Sequence, residues 1–308
     1  MIYVDMKGNL GNQMFIYACS RSLQEKTKQT INISTYYLKK NNPNYKFSLD
    51  IFKLNENVII TNDKIPFYAS SDSKFFKIFK KLTFNRKFFQ NLYFKFFSLF
   101  NIFVYNGTTY KPLKLRKKTK NIYISGFFQS VDYFKDVEDI IKKEFETKNA
   151  LFSKNENFLK KIQSTNSICL SIRRGDYVEN AKIAKFHLVC DINYFFDALK
   201  VIKDKVENIQ IVCFSDDPKW VKENMKFNDL TLYESEGNSL EDKIILMKEC
   251  KHFILSNSSF SFWIELLSNN KNKIVVSPKR WYANNQEADI FRSYRIKIPT
   301  FLDKEKEK

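Results

Sequence analysis

From about residue 165 the chain alternates short apolar runs with amphipathic ones, and this rhythm narrows its possible folds more than any other feature. "SICLSIRR", "IQIVCF", "LTLYE", "HFILS" and "KIVVSP" read as strands. Between them, "NYFFDALKVIKDK", "DDPKWVKENM", "SLEDKIILMKEC" and "SSFSFWIELLS" read as helices. These strands are apolar at almost every position, so both of their faces must be covered. Helices on the two sides of a parallel sheet meet that requirement. The spacing predicts a doubly wound α/β domain whose final strand is "KIVVSP". Upstream, "GNLGNQMFIYACSRSLQEK" reads as a tight glycine turn opening onto a helix, with Asn12 as its cap. A short strand at Gln29–Ile33 would continue a second βαβ beginning, and residues 34–72 carry no assigned element.

Ligands of doubly wound domains bind beyond the carboxyl ends of the strands. Three such ends are chemically unusual here: "SIRRGD", "CFSDD" and "LSNSSF". Arg173 and Arg174 offer planar forks suited to phosphate or carboxylate. They equally suit an Arg–Asp lattice that ties strand ends together, with Asp176 as a nearby partner. Ser258 and Ser259 open a predicted helix, whose first N–H groups and partial positive charge favour phosphate. Ordinary capping would use the same residues. Asp216 and Asp217 can meet ribose or purine groups, or cap a helix that has Pro218 in its first turn. Three of the six glycines, Gly8, Gly11 and Gly175, lie in the two turns of this set.

Charge and composition bound the partners. The chain has 308 residues, an apolar fraction of 44% and an aromatic fraction of 16%, values typical of a packed globular protein. No run of about eighteen apolar residues occurs, and the N-terminus lacks a basic leader before an apolar stretch. Five cysteines without a CxxC pair point to a reducing, cytoplasmic setting, and two histidines give poor support to a zinc site or a Ser-His-Asp triad. The net charge is +18, and no Asp or Glu falls between Ser73 and Val131. Such a stretch attracts nucleic acid, an anionic lipid surface or a charged glycan. Within it, "KFFKIFKKL" and residues 86–105 repeat aromatic side chains at helical spacing. The plainer expectation is a core-facing aromatic stripe; the sharper one is a basic, Phe-rich surface resting on a bilayer at the inner face of the cell membrane.

Taken together, "GNLGNQMFIYA", "SIRRGDYV", "FSDDPKWVKENM" and "LMKECKHFILSNSSFSFWIELL…KIVVSPKRWY" resemble the bacterial α-1,2-fucosyltransferases of glycosyltransferase family 11. The resemblance runs from Gly8 to Tyr282 and is weak across residues 35–120. It implies a GT-B-like α/β fold with two Rossmann-like domains facing a cleft: an acceptor-side domain over 1–160, carrying the basic Phe-rich segment, and a GDP-sugar-binding domain over 161–308. It implies inverting transfer of L-fucose from GDP-fucose to the 2-hydroxyl of a terminal galactose, on a glycan or lipid-linked oligosaccharide, with no metal cofactor and no nucleic acid. Carried over, Arg173 would neutralise the diphosphate with support from Arg174. Ser258, Ser259 and Phe260 would cradle it, Asp216 would reach the guanosine, and Gly11 and Asn12 would face the donor. Asp176 and His187 are the candidates for the acceptor's general base. Ser171 stands where the family more often has His, and Asn9 where it commonly has a second glycine. Without the resemblance, the basic and aromatic composition would suit a nucleic-acid-binding or membrane-surface protein that catalyses nothing.

Overall fold

The alternation of the second half folds into a six-stranded parallel sheet. The computed structural model describes residues 1–41, 43–82, 86–117, 120–284 and 286–304, apart from the side chains of residues 39, 41, 79, 80, 82, 86, 87 and 176. The chain divides into two units, Met1–Glu146 and Thr147–Lys308. The division thus falls earlier than residue 160, because the helix Glu156–Ser164 leads directly into and packs on the first strand of the second unit.

The second unit contains β6 (Asn166–Ile172), β7 (Ile209–Ser215), β8 (Thr231–Tyr233), β9 (His252–Leu255), β10 (Val275–Pro278) and β11 (Ile296–Ile298). Their spatial order is β8-β7-β6-β9-β10-β11, with every pair parallel. The chain winds outward from β6 to one side, returns, and winds to the other, which is the doubly wound order. β11 extends the sheet beyond the strand expected to be last. On one face Ile168, Leu170 and Ile172 pack with Phe195, Ala198 and Ile202 of the helix Ile192–Lys203. On the helix Ser259–Leu267, Glu265 is fully buried and holds Arg295 at 2.6 Å and Lys273 at 2.9 Å, with Tyr294 donating to it at 2.8 Å. Burial alone would raise the Glu265 carboxyl, but Arg295 and Lys273 outweigh it and hold the group below the usual range.

The first unit is built the same way. β1 (Ile2–Asp5), β2 (Ile31–Ser34), β3 (Val58–Thr61), β4 (Ile102–Tyr105) and β5 (Ile122–Gly126) lie in the order β3-β2-β1-β5-β4, all parallel. The glycine turn does open onto a helix, Leu10–Thr27, but Asn9 occupies the cap position and Asn12 sits inside the first turn. Gly8 has φ +67°, and a Cβ there would meet the Asn12 amide at 2.4 Å, so this turn requires glycine.

Residues 86–105 differ from one long helix. The helix Arg86–Phe97 ends in a 3-10 turn over Ser98–Phe100, Asn101 takes a left-handed conformation (φ 56°), and the rest is β4. Phe76, Phe89 and Tyr93 are buried against Ile102 and Val104, whereas Phe88, Leu92, Phe96 and Phe100 face outward. The stripe therefore divides between core and surface. Among the described residues no helix is long and apolar enough to cross a membrane. All five cysteines are free, and burial pushes the Cys19, Cys169 and Cys190 thiols up, and that of Cys213 up to about 12.

Candidate functional site

The register of the second sheet brings the three unusual strand ends together. β6 lies between β7 and β9, with Ile172 opposite Ser215 and Ser171 opposite Leu255. "RRGD" therefore emerges with "SDD" on one side and "SNSSF" on the other. The winding reverses between β6 and β9, and a crevice at such a reversal is where doubly wound sheets take ligands.

The Arg–Asp lattice is present, with its partners drawn from β7. Arg173 Nη1 lies 2.9 Å from Asp216 Oδ2, and the Arg174 backbone N–H donates to Asp216 Oδ1 at 2.8 Å. The Arg174 side chain reaches Asp217 at 3.4 Å, and its guanidinium carbon lies over the Trp220 ring, 3.2 Å from its centre. Both oxygens of Asp216 are thus turned to the arginines, which makes it an orienting group in this structure. Asp217 accepts from the Trp220 N–H at 3.2 Å, capping the helix Pro218–Asn224 as its sequence suggests. Gly175 is needed for this packing, since a Cβ would come within 2.7 Å of Asp216 Oδ2. Asp176 lies in the short helical turn Gly175–Glu179, and its side chain is outside those described.

Across β6, Ser258 caps the helix Ser259–Leu267 through a long contact from the Ser261 N–H, 3.5 Å. Ser258, Ser259 and Phe260 are all half-buried, so the helix start is reachable from solvent. The first N–H groups of a helix have no intrahelical acceptor and attract anions. Ser171 and Ser261 share a hydrogen bond at 2.7 Å, so Ser171 ties β6 to this same helix turn where a histidine would be bulkier.

Two tyrosines that the sequence patterns do not single out, Tyr177 and Tyr282, pack around the general-base candidate His187 beside these strand ends. Tyr177 lies beneath the Arg173 guanidinium at 5.5 Å and donates its O–H to the Asn257 carbonyl at 3.2 Å. His187 stacks on Tyr177 at 5.1 Å and packs against Tyr282 at 5.6 Å. The Asn257 amide donates to the carbonyls of His187 (2.9 Å) and Trp281 (3.0 Å), fixing both segments. Burial pushes the Tyr282 phenol up to about 12. At the end of β8, burial likewise raises the Glu234 carboxyl, with the nearby Lys243 only partly opposing it. The one signal for Tyr177 and Tyr282 was their place in "RRGDY" and "KRWY", directly beside motif residues.

Gly11 and Asn12 belong to the first unit. Gly11 is buried in the first helical turn, and Asn12 Oδ1 accepts from the Gln129 amide at 2.7 Å. Among the described residues, no three His, Cys, Asp or Glu side chains gather as a metal's ligands would.

Residues 1–298 match the family described as Glycosyl transferase family 11. The chain is 30% identical to the O-antigen biosynthesis glycosyltransferase WbnK of Escherichia coli, over 94% of this chain and 97% of the relative. It is 26% identical to an alpha-1,2-colitosyltransferase of the same species, over 93% and 94% of the two chains. Among solved structures, NodZ alpha-1,6-fucosyltransferase co-crystallized with GDP superposes with a TM-score of 0.50 at 12% identity, covering 86% of this chain and 92% of that one. That likeness is one of fold and places the two units in the GT-B class of α/β architectures.

Proposed function

The chain belongs to glycosyl transferase family 11 and is a glycosyltransferase, and from that premise we propose that it moves L-fucose from GDP-fucose, with inversion, to the 2-hydroxyl of a terminal galactose during surface polysaccharide or O-antigen synthesis. The observation that carries this reading is the facing pair at the β6/β9 reversal: a part-exposed, Asp-oriented Arg173 on one side, and the helix start Ser258–Phe260 on the other. The relatives' named activities, O-antigen glycosyl transfer and alpha-1,2-colitosyl transfer, support the reaction class and the linkage.

In this reading the diphosphate sits in that crevice. When the glycosidic bond breaks, negative charge builds on the β-phosphate while the sugar becomes oxocarbenium-like. Preorganised cations and N–H donors absorb such charge most effectively, because they need not reorient as it forms. Arg173 serves as the cation, with its fork set by Asp216. Arg174, held on Trp220 and by Asp217, stiffens the strand end from which Arg173 projects. No divalent ion is required, so chelation with EDTA leaves the rate unchanged.

The deciding experiment is a transfer assay across guanosine, uridine and cytidine sugar donors, including fucosyl and colitosyl ones, followed by NMR of the product linkage. GDP-fucose as best donor and an α-1,2 product support the assignment. Preference for a uridine or cytidine donor overturns it.

A further inference from the structure

The first unit carries a feature that sugar transfer does not use. On the helix Arg86–Phe97 and the turn after it, Phe88, Leu92, Phe96 and Phe100 recur every fourth residue, and each is more than half exposed. Four-residue spacing stacks side chains into one ridge along a helix, here roughly 18 Å long. Beneath the ridge, Phe89 and Tyr93 are buried and form the wall of the core, so the helix is anchored by one face and apolar on the other as well. A groove of about 290 Å³ runs beside it, lined by Phe75, Leu92 and Phe96 with rings packed below. On the neighbouring helix Lys74–Leu82, Ile78 is exposed as well. Soluble monomers rarely leave contiguous apolar area of this kind exposed without a use for it.

The surroundings say what covers it. Residues 74–130 hold thirteen Lys and Arg and not one Asp or Glu. Lys95 lies two turns on from Phe88, on the same helical face, and Lys74 and Lys81 flank Ile78; all three are exposed. The basic loop that follows β4 is pinned here too: Lys111 bonds to Asn91 and lies over the Phe94 ring, and Asn101 exchanges hydrogen bonds of 2.9 and 2.7 Å with the Arg116 backbone. We propose that this ridge is a docking surface for an anionic lipid bilayer, with Leu92, Phe96 and Phe100 entering the headgroup–acyl boundary and the lysines on lipid phosphates. Aromatic and aliphatic side chains on one face of a basic helix are what such an interface selects, and neither attraction alone gives lasting attachment. A protein partner of equal affinity would have to be strongly acidic and apolar at once. A second copy of this chain would set like charges against each other.

The test is co-sedimentation of the full chain with vesicles of phosphatidylcholine alone, or of phosphatidylcholine mixed with phosphatidylglycerol. The wild type should pellet with the mixed vesicles only, and less so as salt rises. Leu92→Asp with Phe96→Asp should abolish pelleting while leaving the melting temperature and transfer to a soluble acceptor unchanged. Lys74→Glu with Lys95→Glu should weaken it by at least about tenfold, since each cation near an anionic surface is worth roughly fivefold in affinity. Wild type remaining in the supernatant, equal binding by the Asp variant, or a wild-type dimer that this variant dissociates without any vesicle binding would each overturn the proposal. Transfer to the soluble acceptor is read separately, so such a failure leaves the donor-site assignment standing.

Discussion

Both sheets reverse their winding beside their first strand, yet the two reversals have opposite characters. At the β1/β5 reversal Asp5 is 0% exposed and accepts from Ser70 (2.6 Å) and Ser125 (2.8 Å). Lys7, 3.3 Å from Asp5, is paired with Asp72 as well and donates to Ser71 at 2.6 Å. Those polar groups pair with one another largely out of solvent, with Asp5 Oδ2 taking the contacts and Asp5 Oδ1 buried without a hydrogen-bond partner among the described residues. At the β6/β9 reversal the Arg173 side chain is 31% exposed and Asp216 26%, and a helix start faces them. Topology offers a crevice at each place; the side chains close one and leave the other open. A sheet order therefore nominates a site, and burial decides whether it can act as one.

The contrast can be broken from either side. Asp5→Ala should give the largest effect, a loss of about 3–5 kcal/mol in stability, because it leaves the buried Ser70 and Ser125 hydroxyls without their acceptor and takes from Lys7 one of its two carboxylates. The affinity for GDP of the protein that remains folded should be unchanged, and urea titration with calorimetry checks both. Arg173→Ala should do the reverse, lowering the transfer rate on the order of a hundredfold with little change in melting temperature. A matching fall in stability there would mean that the Arg–Asp lattice is structural and nothing more. Ser258→Ala should cost about 1 kcal/mol through the lost cap and raise the GDP dissociation constant several-fold, in thermal and fluorescence titrations. The smallest effect is a pH dependence in the second unit's core. The folded Glu265 carboxyl titrates below its unfolded value of about 4.3, so its contribution is complete above that pH and is lost as pH falls through the lower folded value. Urea unfolding across acid pH should show a shallower decline for Glu265→Gln than for the wild type, from a lower starting stability.

Much of this architecture can be read from residue order, for definite reasons. Strands β6, β7, β9 and β10 announce themselves because sheets covered on both faces need apolar residues throughout. β11 escapes notice because "IKI" is three residues beside Arg295 and Pro299, too short for a periodic signal. β3 lies at a sheet edge with Ile59 and Ile60 exposed, so "VIIT" has no burial pattern to find. The helix expected over 86–105 overruns because "IFVY" is apolar at every position and fits either period, while the break at Asn101 depends on one left-handed residue. At the site, local motifs reveal which residues meet but not how they pair. Asp176 is the neighbour in sequence, whereas Asp216 and Asp217 come to the arginines through the β6–β7 register. The stacking of Arg174 on Trp220 and of His187 between two tyrosines likewise arises only once distant strand ends are adjacent.

A crystal structure of the protein soaked with GDP, prepared without divalent cations, tests the account where it is most exposed. The diphosphate should lie between the Arg173 guanidinium and the backbone N–H groups of Ser259 and Phe260, each within hydrogen-bond distance. GDP bound at another edge of the sheet, with Arg173 directed only at Asp216, would contradict it.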